Sequence, residues 1–484
     1  MKKTQILILI LISLITFLLV YTPHITNPYP LHIDEWHHIT EAIKLRQGNI
    51  PTGFSGVEIG FHIILAFISL FADLVLIYKF LPAIWAIVSA LVLFFIIRKQ
   101  TQNLKSSFFI AIFTMIFFIS IRSNVNITGL WFFTPLTFSI PFIFLYIHFF
   151  TQGIQQQNKK YLVYSLLIML FLLPIHAISV LFAIPFLIIY SLINYKYLIK
   201  NYKFFSIFLL IPITGLWFYK IIINLKFSDL LPHLLKFIQF KKGWGVLELN
   251  NSPLELYSLI GYILAIIGII FIISYKDNLK KYFIYVLWSL TLILSIFIFK
   301  QTGISYLSPY QRNLYYLTIS LPFLSTIGLF YLLELIKKTI IRFNSNEKNK
   351  LVLFKTLKII IIILVLFLVF NFYFNLPQNI RLYKTINSND YQTLKFLSQF
   401  SSSKIMAPAS ISTALFPISN HKPVGTINFY GNRKDVEAFF NSKDCKTKDN
   451  LIKKHNVKYI LSKYPIECNY TLIYQENNFV YKIK

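Results

Sequence analysis

The stretch "PLHIDEWHHITEAIKLRQGNIPTGFSGVEIGFHIILAFISLF", residues 30–71, follows the first apolar run of the chain, and its second half decides how everything after it is threaded. If the apolar residues from Val57 to Ile77 crossed a membrane, Arg98, Lys99 and Lys105 would fall on the side that basic loops avoid, and every later loop would be inverted. A stretch lying along the surface restores the bias. The basic residues then collect on one side, at Lys2 and Lys3, 98–105, 159–160, 196–203, 276–281 and 337–358. About 20 Lys/Arg fall there, about 11 in the opposite loops and about 16 in the tail beyond Phe374. The amino terminus is then inside and the tail outside. Five of the eight acids in the outer loops lie between Asp34 and Asp73.

Composition agrees with a membrane solvent. The 484 residues are 56% hydrophobic and 13% charged, about half the charge of an ordinary soluble domain. Mean hydropathy is +0.62. A soluble enzyme is excluded on these grounds. The net charge of +29 does not point to nucleic acid, because the basic loops alternate with long apolar runs and so record orientation.

A bilayer core needs roughly 20 helical residues. Suitable runs lie near 6–20, 80–97, 106–121, 131–150, 161–176, 178–194, 203–222, 255–274, 281–299, 313–336 and 351–374. The run at 6–20 is followed by Tyr21-Thr22-Pro23-His24 without an A-x-A cleavage pattern, so it reads as an uncleaved span. The expected fold class is a polytopic α-helical membrane protein of about eleven spans, residues 1–374, with a first outer loop, 23–79, carrying juxtamembrane helices. The localisation expected is the cytoplasmic membrane.

Residues 375–484 read as a small extracytoplasmic α/β domain. Residues 390–400 and 433–440 are helix-like, the second capped by Asn432. Residues 457–461, 471–474 and 479–483 read as strands, the last two joined by a turn at 476–478. Cys445 and Cys468 are both here, and the sequence leaves a disulfide and two free thiols equally open.

The chemistry is expected in the first outer loop. From Glu35 the pattern is helical, with Trp36, Ile39 and Ile43 as an apolar stripe for the membrane interface. Asp34, His38 and Glu41 follow at i, i+4 and i+7 on another face, and the helix ends near Gly48. A carboxylate held there suits a general base. The same Asp34 also suits a helix cap, and the two roles are compatible. Asp34 and His38 have ligand-like spacing, but adjacent histidines project about 100° apart on a helix, which argues against His37 and His38 sharing one metal.

Asp34-Glu35 directly after the first span, then "WHH", then "GFHIILAFISLF" and a span ending in Arg98-Lys99, resembles the GT-C glycosyltransferases. These polytopic enzymes use polyprenyl-phosphate-linked sugars and include protein O-mannosyltransferases and aminoarabinose transferases. The resemblance implies Asp34 as catalytic base, Glu35 as its acidic neighbour and His62 near the donor phosphate. It implies as partners a polyprenyl-phosphate sugar and a protein, lipid or glycan acceptor. Metal-dependent relatives carry a further acidic motif in a later outer loop. Here "RSNVNITG", residues 122–129, has no acid, so a divalent metal is not favoured and no cofactor is assigned.

A leaving phosphate needs a cation, and arginine serves through two N–H bonds. Arg312, in "YLSPYQRNLYYL", and Arg122 both sit at outer mouths of spans. Each also suits snorkelling to head groups. His176, in an outer turn, joins His37 and His38 as a candidate substrate contact. The stretch "HLLKFIQFKKGWG" in the loop 226–254 suits anionic lipid or a donor entrance. The tail is expected to recognise acceptor or to pack. The alternatives are a polymerase or ligase of lipid-linked glycans, a transporter or flippase, and a membrane scaffold without activity.

Overall fold

The apolar runs become helices wherever the structure describes them. The computed structural model describes residues 2–49, 58–102, 104, 106–124, 129–202, 206, 228, 232, 235, 238–241, 253–343, 347–375, 384–427 and 431–483. Among these, seven helices are long and apolar enough to cross a membrane. Lys3–Tyr21, Leu81–Gln100, Pro135–Gln155, Lys159–His176, Lys276–Thr302, Tyr310–Phe343 and Glu347–Phe374 are the helices concerned. Ser107–Ile119 and Leu259–Ser274 are apolar but shorter. The expected span at 203–222, most of the loop 226–254 and residues 125–128 lie outside the described residues.

Two expectations need correction. The run near 178–194 is not one helix but two, Ile178–Leu181 and Ile184–Ile193; Pro185 in the first turn of the second supplies no N–H to continue the ladder. The span expected from residue 131 begins at Pro135, because 131–134 are committed elsewhere. The disputed stretch before residue 78 is broken into Ile59–Ile68 and Leu74–Ile77. Ten helical residues reach only about 15 Å, half of what a bilayer core requires.

The chain divides into two compact units. One comprises 1–18, 84–130 and 135–376; the other comprises 19–83, 131–134 and 377–484. The first is the helical unit. Its little-buried helix Glu347–Phe374 shows Ile359, Ile363 and Phe367 at helical spacing, each more than half exposed, an apolar face suited to lipid. Elsewhere the helices meet tightly. Leu259–Ser274 and Tyr310–Phe343 approach backbone to backbone at Gly268 and Gly328, so that a Cβ on Gly268 would overlap the Leu324 carbonyl and one on Gly328 the Leu264 carbonyl. Small residues permit this approach where apolar burial no longer drives helices together. A short antiparallel pair, β1 (Gln239–Lys241) and β2 (Ile304–Tyr306), also belongs to this unit.

The second unit is built on a five-stranded mixed sheet. Its strands are β3 (Lys404–Met406), β4 (Lys422–Pro423), β5 (Val457–Ser462), β6 (Thr471–Gln475) and β7 (Phe479–Lys482), in the order β4-β3-β5-β7-β6. The pairs β3–β4 and β3–β5 are parallel; β5–β7 and the hairpin β6–β7 are antiparallel. Helix Arg433–Asn441, capped by Asn432, and helix Cys445–His455 bring Val436, Phe439 and Ile452 against Met406, Ile460 and Tyr481. Cys445 and Cys468 are disulfide-bonded, which resolves the choice the sequence left open.

The close helix crossing yields a test of the helical unit. Gly328→Leu inserts a branched side chain against the Leu264 backbone and should cost about 3 kcal/mol or more. Thermal unfolding of the detergent-solubilised protein should show a clear fall in midpoint, with a smaller fall for Gly328→Ala; an unchanged midpoint for both would contradict the crossing.

Candidate active site

The helix Ile33–Arg46 is set at both ends by backbone chemistry. His32 is the cap, with extended backbone, and its Nδ1 accepts the Asp34 N–H at 3.1 Å. Glu35 reciprocates: its Oε2 accepts from the N–H groups of His32 at 2.9 Å and Leu31 at 2.8 Å, completing a capping box with histidine in place of the usual hydroxyl residue. At the far end Gly48 takes φ +84°, and the N–H of Asn49 reaches back to the Lys44 carbonyl at 3.0 Å, the left-handed cap that glycine favours.

Two neighbouring acids meet opposite fates at the start of this helix. Glu35 is completely buried, and its remaining oxygen accepts the Phe133 N–H at 2.7 Å, tying residues 131–134 to the first loop. Burial pushes its carboxyl up to about 8, against the pull of the three N–H bonds. Asp34 does not cap the helix. Its side chain is 40% exposed, with Oδ2 3.4 Å from His32 Nδ1, and its carboxylate can be approached from outside.

The accessible strip differs from the expected face. Ile33, Asp34, His37 and Lys44 are partly exposed, while His38 and Glu41 are buried, Glu41 holding Lys44 at 2.8 Å. Trp36 and Ile39 are wholly buried within the protein and form no stripe for the membrane interface. The reason is packing on two sides, by Ile59–Ile68 and by Ala409–Ser419. A cleft of about 580 Å³ opens between the loop helix and the tail. Ile33, His37, Thr40 and Lys44 line one wall, and Ser412, Phe416 and Lys422 contribute to the other; Asp34 itself is not in the lining.

His37, His38 and His62 converge, contrary to the expectation that adjacent histidines diverge. Their ligand atoms all lie within 4.8 Å of one another. The His37 and His38 ring centroids are 5.2 Å apart, and His38 Nδ1 is 3.1 Å from His62 Nε2. Burial pushes His62 down to about 4 and lowers His37 as well. His62 has no exposure at all.

The remaining candidates belong to the helical unit. Arg122 is already engaged: Nη2 donates to the carbonyls of Phe372 and Asn375, and the guanidinium stacks 3.7 Å over the Phe372 ring. Its backbone N–H donates to the Leu256 carbonyl at 2.9 Å. Arg312 lies in the first turn of Tyr310–Phe343 and is only partly buried. One turn further on, the Tyr316 hydroxyl is 3.0 Å from Ser179 Oγ, which is 2.7 Å from His176 Nδ1. Arg312 is near enough for its charge to act on His176.

No protein-family model matches the sequence, and no curated protein matches it either. Solved structures do. ArnT from Cupriavidus metallidurans bound to undecaprenyl phosphate is similar over 99% of this chain and 98% of its own, with TM-score 0.60 and 10% identity. The Archaeoglobus fulgidus oligosaccharyltransferase in its apo form is similar over 96% of this chain and 70% of its own, with TM-score 0.58 and 12% identity. The archaeal oligosaccharyltransferase AglB from Archaeoglobus fulgidus, in complex with an inhibitory peptide and a dolichol-phosphate, gives TM-score 0.56 at 11% identity over 96% of this chain and 69% of its own. The chain has the GT-C fold. At such identities the likeness is one of fold, and with the apolar helices it makes this chain an integral membrane protein.

Neither the His32 cap nor the bond from Glu35 to Phe133 was legible beforehand. The only advance signal was glutamate three residues after the cap position. Glu35 yields a pH test. The folded protein holds that proton to higher pH than an unfolded chain does, so between about pH 4.5 and 8 the folded state binds more protons and stability falls as pH rises. One such group contributes a slope of at most about 1.4 kcal/mol per pH unit. Unfolding midpoints measured from pH 5 to 8 should fall for the wild type, and Glu35→Gln should lower stability throughout while flattening the slope. Equal slopes would show that Glu35 does not titrate in this window.

Proposed function

We propose that this GT-C protein is a glycosyltransferase that moves a sugar from a polyprenyl-phosphate donor to an acceptor hydroxyl at the outer face of the cytoplasmic membrane, with Asp34 as general base. The observation that carries the reading is the open Asp34 carboxylate in the first loop of a chain whose fold matches a lipid-phosphate-bound transferase over nearly its whole length. Asp34 withdraws the proton from the acceptor oxygen as that oxygen attacks the anomeric carbon. The lipid phosphate departs from the opposite face. In-line displacement of this kind inverts the anomeric centre.

Within this reading Glu35 is a positioning residue, since three backbone N–H groups occupy its oxygens and hold the turn that presents Asp34. Arg312 is the cation for the departing phosphate, in company with His176 and Tyr316. Arg122 and His62 are given no phosphate role in this reading: Nη2 of the first already donates to two backbone carbonyls, and the second has no exposure. Residues 375–484 form an extracytoplasmic domain that, through the cleft, recognises the acceptor. Lys422 on the tail wall favours an acceptor bearing negative charge, Lys44 opposite being paired with Glu41.

Purified protein, labelled polyprenyl-phosphate sugars and a panel of acceptors test the proposal. Asp34→Asn should lower transfer by about 10²- to 10⁴-fold, with an unchanged elution profile and melting curve. Arg312→Ala should lower it by about 10²- to 10³-fold. Full transfer by Asp34→Asn would remove the base assignment, whereas failure of the wild type with every donor would remove the transferase reading.

A further inference from the structure

We propose that His37, His38 and His62 bind a divalent transition-metal ion of the Zn²⁺ class, with Glu58 completing the ligand set, and that this ion pins the helix carrying Asp34 to the helix Ile59–Ile68. Among the described residues this is the one group of three or more His, Cys, Asp or Glu side chains whose ligand atoms converge closely enough for a metal. Asp34 is not in it.

The geometry is already near what the ion requires. Zinc–nitrogen bonds of about 2.0–2.1 Å in a tetrahedron place neighbouring ligand atoms about 3.3 Å apart. His38 Nδ1 and His62 Nε2 are 3.1 Å apart, and Glu58 Oε2 is 3.9 Å from the same His38 nitrogen. All separations in the histidine group lie within 4.8 Å, a spread that small rotations of the partly exposed His37 ring close. Three imidazoles and a carboxylate select zinc-like ions over magnesium or calcium, which take oxygen ligands.

Burial supplies a second observation. His62 is wholly buried and its Nδ1 has no hydrogen-bond partner, an unusual state for a polar atom away from water. Phe61, edge-on to His38 with centroids 5.2 Å apart, keeps water from that side. The consequence is mechanical. The ion joins residues 24 apart in sequence, so it restrains the loop that presents both Asp34 and Glu35, and through His37 it lies beside the cleft.

The test uses full-length protein in detergent, purified with a histidine-free tag, stripped with a chelator and titrated with Co²⁺ and then Zn²⁺. The expected result is stoichiometric uptake of a single ion, with the strong visible bands of tetrahedral cobalt displaced by zinc, and a higher melting midpoint with metal. His62→Ala and His37→Asn should each weaken binding by more than about 100-fold, and Glu58→Gln should weaken it while leaving the apo protein's midpoint unchanged. Asp34→Asn should bind as the wild type does. Absence of uptake by the stripped wild type overturns the inference and leaves a metal-free histidine cluster. Loss of metal in Asp34→Asn, with retention in the histidine variants, overturns it by moving the ion to the base. Uptake is read without sugar transfer, so neither outcome depends on the proposed activity.

Discussion

Everything in the first loop hangs on one buried carboxylate. Glu35 accepts hydrogen bonds from Leu31 and His32, which start its own helix, and from Phe133, which is 98 residues away in the chain. A carboxyl group without water is costly unless its lone pairs are met, so these donors cannot disperse independently. The phenol of Tyr78 donates to the Phe133 carbonyl at 2.5 Å, so the two polar groups flanking one residue are both met from the loop. This is why residues 131–134 leave the span they were expected to begin and join the second unit.

Much of the fold was legible because lipid imposes a simple rule on sequence. Backbone polar groups in a bilayer have to be met within helices, and the only competing signal, basic residues between the apolar runs, settled the treatment of the stretch before residue 78. The hairpin β6–β7 was equally readable, from alternation and a polar turn. The parallel strands β3 and β4 were not, since three and two residues carry no period. Nor was helix Cys445–His455, whose sequence CKTKDNLIKKH buries little beyond Lys448 and Ile452; its cap at Asp444, with bonds to Lys446 and Thr447, was the missed signal.

The site was legible in its residues and illegible in its arrangement. Asp34, Glu35, His37, His38 and His62 were all singled out from the sequence, yet a helical wheel assigns faces without saying how many of them are covered. Here Ile59–Ile68 packs on one side and Ala409–Ser419 on another, so His38 and Glu41 are buried although they share a face with Asp34. The angle between adjacent histidines was a sound rule for directions leaving the helix. It failed for the ring nitrogens, because side chains of that length bend, and because His62 arrives from a second helix to meet them.

Adjacent residues with opposite environments are therefore the working feature of this loop. Burial raises the Glu35 pKa and so disfavours a second negative charge beside Asp34, which in the proposed reaction lets the exposed acid serve as base with less like charge held at close range in a poor dielectric. At the same time the three N–H bonds fix the backbone from which Asp34 projects. A base that must meet an acceptor hydroxyl within about 3 Å gains more from a fixed backbone than from an altered acidity. Under the proposed function, exchanging the two roles fails on both counts: an exposed residue 35 leaves the turn unheld, and a buried residue 34 has no path to the acceptor.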